Sequence, residues 1–207
     1  SMHDQGRSDF LRNVTVSRET LAKLDNYATM LEGWQRKINL VGPKTIAELW
    51  VRHFWDSAQL YPHVAGARRL ADLGSGAGFP GLVLAVMGMP DVHLVDSDQR
   101  KGIFLREVSR ETSAPVTVHT GRAEQIAPIM ADVVTARAFA PLVELLPMAY
   151  RHIKPDGRFV LLKGEGWASE VEAARRAGWV FHVKHLPSQT APEAAILILS
   201  DLKPPQA

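Results

Sequence analysis

Arg69-Leu70-Ala71-Asp72-Leu73-Gly74-Ser75-Gly76-Ala77-Gly78-Phe79-Pro80-Gly81 is the stretch on which the fold turns. Leu70 to Leu73 is a short apolar run carrying one acid, long enough for a buried strand. Gly74, Gly76, Gly78 and Gly81 follow, and then Leu82, Val83, Leu84, Val86 and Met87 read as the buried face of a helix. Glycines let the backbone turn sharply and let a ligand lie against bare main chain, beside free N–H groups at the helix start. Pro80 suits the first helical turn, where its missing donor costs nothing. A strand, a glycine turn and a helix in that order form a nucleotide-handling element rather than an ordinary bend.

Working outward, Val92-His93-Leu94-Val95-Asp96 reads as a second strand ending in an acid placed to take two ribose hydroxyls. Two spacings coexist in the loop. Read from Gly76 it is G-x-G-x-x-G through Gly81, which a dinucleotide fold also uses. Read from Asp72 it is D-x-G-x-G-x-G, the acid-led loop of the S-adenosylmethionine-dependent methyltransferases. The acid after the second strand serves both.

A chain of 207 residues suits one domain with an appendage, and 46% hydrophobic residues can bury a sizeable core. No run approaches the roughly 20 apolar residues of a membrane span, and the N-terminus carries no secretory hydrophobic segment. Ser1-Met2 reads as a cloning remnant ahead of a natural methionine. A soluble, cytoplasmic protein with no membrane contact is expected. Net charge is only +2, with a pI near 9.0. That permits nucleic acid as a partner without arguing for it. The absence of cysteine excludes thiolate zinc sites, cysteine-bound iron–sulfur clusters and every cysteine nucleophile, and with the last the covalent route to cytosine ring-carbon methylation.

Along the chain, residues 2 to about 16 are polar and mixed, and read as a frayed arm. Ser17 caps a helix with Leu21, Leu24, Ala28 and Leu31 on one face, ended by Gly33 and the stretch Ile38 to Pro43. Thr45 and Glu48 read as a capping box opening a second long helix to about Tyr61. Its apolar face carries Ile46, Leu49, Trp50, His53, Phe54, Ser57 and Leu60. Residues 1–66 thus form an arm and helical cap packed on the sheet, and 67–207 the main domain. Beyond the glycine loop, helices at Gln99–Arg110, Pro141–His152 and Ala168–Ala177 alternate with strands at Val116–Thr120, Ala131–Ala136 and Arg158–Gly164. Lys154 to Gly157 is a turn, and Trp179–Leu186 with Ala194–Ser200 forms a closing hairpin. The expectation is an α/β, Rossmann-like, mostly parallel seven-stranded sheet with an antiparallel last strand and an N-terminal helical extension.

Ligands in such sheets sit beyond the carboxyl ends of the strands, which selects five loops: Gly74–Gly78, Asp96–Asp98, Gly121–Glu124, Arg137–Ala140 and Lys163–Glu165. Methylation of an exocyclic amine calls for a D-P-P-Y-like tetrapeptide after the fourth strand, and ribose methylation for an acid there. This chain has Arg137-Ala138-Phe139-Ala140. A ring nitrogen with an in-plane lone pair, such as N(7) of guanine, needs no deprotonation, so positioning carries that reaction and no general base is expected.

These residues carry a resemblance. Leu31-Glu32-Gly33-Trp34, Asn39-Leu40, Arg52-His53-Phe54-Trp55-Asp56-Ser57 and the glycine loop resemble the bacterial small-subunit rRNA methyltransferase G family, first called glucose-inhibited division protein B. Leu94 to Ser97, Lys101, Phe104-Leu105, Arg122 to Glu124, Ala136 to Ala140 and Leu162 to Gly164 extend it from about Leu21 to Leu199. The R-H-x-x-D-S helix, the G-x-P-G loop ending and the R-A-F-A segment are its specific parts. The resemblance implies a class I methyltransferase using S-adenosyl-L-methionine to methylate N(7) of a guanine in the decoding-region loop of 16S rRNA. Its partner would be that rRNA, within the small ribosomal subunit or an assembly intermediate, and a monomer is expected.

Carried over by position, cofactor contacts fall on Gly74, Phe79, Ala123, Glu124 and Arg137, with Ser75, Gly76 and Gly78 of the same loop and Asp96 at the ribose. Phe79 is expected at the mouth and Ala123 beside the adenine, where relatives can carry a larger aliphatic residue. No catalytic base and no metal ligand is expected. Arg52, His53, Phe139 and Lys163 are the candidates for the RNA side. Lys163 as a point charge for phosphate is weighed against a solvated strand-end lysine. Phe139 stacking on the target base is weighed against a packed core ring. His53 reads as a partly buried, hydrogen-bonded histidine, and Arg52 with Asp56 as an ion pair on a helix surface. Asp72 reads as loop support with indirect cofactor contact, and Arg137 as a ligand-crevice arginine rather than a sheet-edge ion pair. Arg100, Lys101 and Arg106 can add to an RNA-facing edge. A nicotinamide oxidoreductase, a non-catalytic RNA-binding module and a small-molecule methyltransferase are the alternatives.

Overall fold

The computed structural model describes the backbone of residues 2–207 and the side chains from residue 4 onward. Ser1, read as a cloning remnant, lies outside the described residues. The strands are β1 (Leu70–Leu73), β2 (Val92–Asp96), β3 (Val116–Thr120), β4 (Ala131–Arg137), β5 (Ile153–Lys163), β6 (Val180–Pro187) and β7 (Ala195–Lys203). They form one sheet in the order β3-β2-β1-β4-β5-β7-β6. β1 pairs in parallel with both β2 and β4, and β4 with β5, whereas β7 runs antiparallel to β5 and β6. All four residues of β1 are buried, as a central parallel strand covered on both faces requires. Asp72 lies opposite Thr135 of β4 in this register, which puts a donor beside a fully buried acid.

Two apolar layers cover the sheet. One gathers α5 (Gly81–Val86) and α6 (Gln99–Thr112) with the N-terminal helices around Leu24, Tyr27, Phe54, Leu82, Leu94 and Phe104. The other packs α7 (Leu142–Ala149) and α8 (Trp167–Arg176) around Leu145, Leu146, Phe159, Leu161 and Ala174. The expected turn at Lys154–Gly157 lies inside β5 as an irregularity, where the partner of β4 jumps from Ile153 to Arg158.

The N-terminal third differs most from the sequence reading. Residues 2–16 are not a frayed arm: α1 spans Met2–Asn13, and Phe10 is fully buried edge-on against Trp50, 5.4 Å between ring centroids. Arg7 adds an ion pair to Asp25 at 2.8 Å and lies over the Trp50 ring. A largely polar segment becomes helical because the contact that buries Phe10 is supplied from elsewhere in the chain. In α2 (Arg18–Gln35), Ser17 accepts from the Thr20 N–H at 3.1 Å as expected, but the helix runs past Gly33. The capping box at Thr45 does not form. Its hydroxyl donates to the Gly42 carbonyl at 2.8 Å, and the expected long helix is a 3-10 turn (Ile46–Glu48), a π-helical stretch (Trp50–Trp55), α3 (Asp56–Ala58) and α4 (Tyr61–Val64). The expected apolar face survives nonetheless: Leu49, Trp50, His53, Phe54, Ser57 and Leu60 are all buried. π-helical turns often mark functional sites, and this one carries Arg52 and His53 to the sheet's carboxyl edge.

Candidate active site

From β1 the strand order runs one way to β2 and β3 and the other way to β4 and β5, so the topological switch point lies between β1 and β4. Two clefts open at the carboxyl ends on either side of it. The first, about 350 Å³, is lined by Gly74, Asp96, Ser97, Ala123, Glu124, Phe139 and Met148, among others. The second, about 610 Å³, is lined by Thr45, Arg52, His53, Asp56, Arg137, Ala138, Lys163 and residues of the β6–β7 connection. Both lie within the roughly 300–1,000 Å³ of small-molecule sites.

The glycine loop is fixed from below. Asp72 accepts from Thr135 Oγ1 at 2.7 Å, from Ser75 Oγ at 2.7 Å and from the Gly81 N–H. Burial pushes its carboxyl up to about 6, against the pull of these three donors. Asp72 therefore supports the loop, one of the two roles considered for it. Ser75 is buried with its hydroxyl turned inward to Asp72. A Cβ on Gly78 would come within 2.7 Å of Leu82 Cβ and closer still to the Tyr27 hydroxyl, which donates to the Ala77 carbonyl. Ser75 thus turns its side chain away from the clefts, and the missing Cβ of Gly78 leaves room for Tyr27 and Leu82.

Most of the N–H groups expected to be free along the loop are engaged. Gly74 and Ser75 N–H both donate to the Val95 carbonyl, at 2.9 and 3.0 Å, and Gly76 N–H to Asp96 Oδ2 at 2.8 Å. Gly78 and Phe79 N–H go to the Ser75 carbonyl, and Leu82 N–H to that of Gly78. A pyrophosphate at a helix N-terminus needs these donors unspent. With most of them engaged, the loop suits a dinucleotide poorly, and the nicotinamide reading loses support. An adenosine-type ligand asks less. Each oxygen of Asp96 accepts one backbone N–H, from Gly76 and from Asp98, and a carboxylate oxygen has capacity for a second donor such as a ribose hydroxyl. Ala123 is buried below this cleft, its carbonyl held by His152 Nε2 at 2.6 Å and Arg151 Nη1 at 3.2 Å. These residues fit the cofactor inferred from sequence.

Of the positions expected to hold that cofactor, Gly74, Asp96, Ala123 and Glu124 share the first cleft. Gly76 serves it by anchoring Asp96. Phe79 is not at the mouth. It is 4% exposed, stacked between Tyr27 at 5.7 Å and His53 at 4.8 Å. Arg137 lies in the second cleft, its guanidinium 5.2 Å from the Phe79 ring centre. It donates to the Arg52 carbonyl at 3.0 Å, to Asp56 Oδ2 at 3.2 Å and to His53 Nδ1 at 2.9 Å. The ion pair set aside at the sequence level is therefore present, and Asp56 pairs with Arg137 rather than with Arg52. Arg52 instead faces Glu48 at 3.4 Å.

Since Arg137 donates to Nδ1, His53 carries its proton on Nε2 and donates to Thr45 Oγ1, 2.9 Å away. Burial, with Arg137 and Arg52 adding repulsion, lowers this imidazole to about 3, so it is neutral across the physiological range. Lys163 is likewise not a solvated or phosphate-seeking lysine. It is 5% exposed, with its ammonium 2.9 Å from Glu170 and 2.6 Å from the Ala140 carbonyl. Glu170 also accepts from the Leu142 N–H, so Lys163 shapes the start of α7. Phe139 is neither a core ring nor in the second cleft. It is 41% exposed and lies over Gly74, where an added Cβ would come within 2.8 Å of Cε1 and closer to Cδ1. Met148 and the β6–β7 connection were missed in the sequence; Met148 sits on an ordinary amphipathic helix, and nothing in the connection's composition marks it.

Comparison with known proteins supplies the family. Residues 20–196 match the family model described as rRNA small subunit methyltransferase G. A protein from Paramagnetospirillum magneticum named ribosomal RNA small subunit methyltransferase G is 54% identical, over 95% of this chain and 96% of its own. One of the same name from Rhodospirillum centenum is 50% identical, over 95% and 91%. Among solved structures, a TehB-like SAM-dependent methyltransferase from Corynebacterium glutamicum superposes with a TM-score of 0.57 at 19% identity, covering 85% of this chain and 96% of that one. M. jannaschii TYW2 in complex with AdoMet gives 0.55 at 13% identity, covering 72% and 76%. These last two share the fold alone, a class I methyltransferase sheet. With the family model spanning most of the chain and relatives half identical along nearly their whole length, this chain belongs to the rRNA small subunit methyltransferase G family, GidB.

Proposed function

We propose that this chain transfers a methyl group from S-adenosyl-L-methionine to N(7) of a guanine in 16S rRNA. One observation carries the choice of acceptor atom: among the described residues, the two proton acceptors lining the larger cleft are held by the chain itself. His53 accepts from Arg137 and donates to Thr45, and Asp56 is ion-paired with Arg137 while accepting from Thr190 and Gln59. An amine or hydroxyl acceptor must lose a proton; N(7) of guanine attacks with a lone pair and loses none. Alignment of donor and acceptor then carries the reaction. The relatives' names support the small-subunit rRNA as substrate.

When bound, the sulfonium supplies the electrophilic methyl group. The chain's residues do the rest. Asp96 holds the ribose, and Gly74 gives room for the amino-acid part beneath Phe139. Ala123 and Glu124 border the adenine. Phe139 stands at the lip between the clefts, with Ala138 facing the larger one, so its exposed ring can stack on the incoming purine. Arg137 and His53 form the wall behind the base, and the exposed Arg52 faces RNA phosphate. Residues up to 66 act as a cap on the body formed by 67–207. No helix among the described residues is long and apolar enough to cross a membrane. A substrate in the small ribosomal subunit or its assembly intermediates supports a cytoplasmic site of action.

Purified protein incubated with methyl-labelled cofactor and small-subunit RNA should deposit label that digests to 7-methylguanosine. Label recovered in a ribose or an exocyclic amine would overturn the proposal.

A further inference from the structure

The connection between β6 and β7, residues 188–194, forms the outer wall of the larger cleft through Thr190, Ala191, Pro192 and Ala194. It is internally shaped by Ser188, whose hydroxyl accepts from the N–H groups of Thr190 and Ala191 at 3.2 and 3.3 Å. Its attachment to the N-terminal helices runs through residues 55–59. Trp55 Nε1 donates to Gln189 Oε1 at 2.9 Å. Gln59 accepts from the Gln189 N–H at 2.8 Å and donates to Ser188 Oγ at 3.2 Å. Thr190 Oγ1 donates to Asp56 Oδ1 at 2.7 Å.

Asp56 differs from the other two tethers. Its second oxygen receives Arg137, so one carboxylate joins the outer wall of the cleft to the arginine that ends β4. Oδ1 also accepts from Gln59 Nε2 at 3.2 Å, and the side chain is only 18% exposed, so little water is available to replace these partners. A charge-assisted hydrogen bond in such a place is worth more than an exposed one.

We propose that Asp56 is a positioning residue of the acceptor cleft: it fixes the 188–194 wall relative to Arg137 and thereby sets the opening through which the RNA acceptor enters. This rests on the reading of the larger cleft as the acceptor site. Asp56 touches no reacting atom in this role. It makes the wall a determinant of which RNA is admitted.

The test compares Thr190→Val, Asp56→Ala and the double variant in steady-state methyl transfer to small-subunit RNA, with calorimetry of S-adenosylmethionine binding alongside. Thr190→Val removes one hydroxyl without touching Arg137. It should raise KM for the RNA by about tenfold or more, the worth of one hydrogen bond to a charged group, with cofactor affinity and kcat held within about twofold. In the double variant the loss in KM should be no greater than in Asp56→Ala alone, because the shared contact is already gone. A KM unchanged by Thr190→Val, a fall confined to kcat with a lowered melting temperature, or strictly multiplicative losses in the double variant would overturn the proposal. Should Asp56→Ala fail to fold, Thr190→Ser, which keeps the hydroxyl that donates to Asp56, should leave the KM for RNA near that of the unsubstituted protein, and a KM raised as far as in Thr190→Val would overturn the proposal. Failure of the underlying reading looks different: the unsubstituted protein itself would bind no cofactor or methylate no RNA.

Discussion

Gly74 and Gly76 offer a controlled perturbation of the cofactor loop. Both adopt left-handed backbone conformations, with φ of +69° and +56°. Alanine at either position meets the same backbone cost, about 1–2 kcal/mol. For a chain of this length that lowers the melting temperature by roughly 2–8 °C. The surroundings differ. A Cβ at Gly76 finds its nearest neighbour, the Gly74 carbonyl oxygen, 4.0 Å away, whereas a Cβ at Gly74 falls within the space of the Phe139 ring. Phe139 is partly exposed and free to swing, so Gly74→Ala should move the ring into the cleft rather than unfold the protein. The two variants should melt alike. Calorimetry should nevertheless show Gly74→Ala losing on the order of tenfold or more in S-adenosylmethionine affinity, about 1.4 kcal/mol or more, with Gly76→Ala affected less. Adding Phe139→Ala to Gly74→Ala should recover part of the loss. Equal losses in the two single variants, or no recovery in the double, would refute the placement of Phe139 over the cofactor path.

Asp96→Ala should weaken cofactor binding by about 10- to 100-fold, as expected for lost hydrogen bonds to a charged group; unchanged affinity would remove Asp96 from the ribose. His53 should give stability a pH dependence of definite sign. It is neutral in the fold, so its contribution is complete above about pH 6.5 and is lost as pH falls, by about 2 kcal/mol at pH 5. Asp72, raised to about 6, contributes in the opposite sense, gaining stability as pH falls from about 6 toward 4. Urea unfolding of His53→Asn should therefore converge on the unsubstituted protein by about 2 kcal/mol between pH 7 and pH 5, and parallel stability curves would contradict a buried neutral imidazole. Lys163→Gln should destabilise the fold by leaving Glu170 unpaired but leave the salt dependence of RNA binding unaltered, whereas Arg52→Gln should lower the salt slope by about one. A reduced slope for Lys163→Gln would return that lysine to the RNA interface.

Much of the sheet was legible because parallel strands buried on both faces read as short apolar runs, and because the acids at Asp72 and Asp96 punctuate them. The ribose side of the site follows from that pattern. What was not legible depends on partners distant in sequence. Phe10 in a polar segment gives no sign that Trp50 will bury it, and Thr45 looks like a cap until Gly42 and His53 claim its hydroxyl. Lys163 looks free until Glu170, on the next helix, neutralises it. Arg137 shows the same limit: its place after β4 was clear, but its three partners on residues 52–56 appear only when the π-helical turn is laid against the sheet. The spent N–H groups of the glycine loop, which separate the two nucleotide readings, are a fact of geometry that no spacing conveys.

Nucleoside mass spectrometry of 16S rRNA from a strain lacking this chain, with and without the gene restored, bears most directly on what the two clefts do together. One 7-methylguanosine should disappear on deletion, return with the unsubstituted gene and fail to return with Asp96→Ala. An unchanged 7-methylguanosine content on deletion, or the loss of a different methylated nucleoside, would contradict the account.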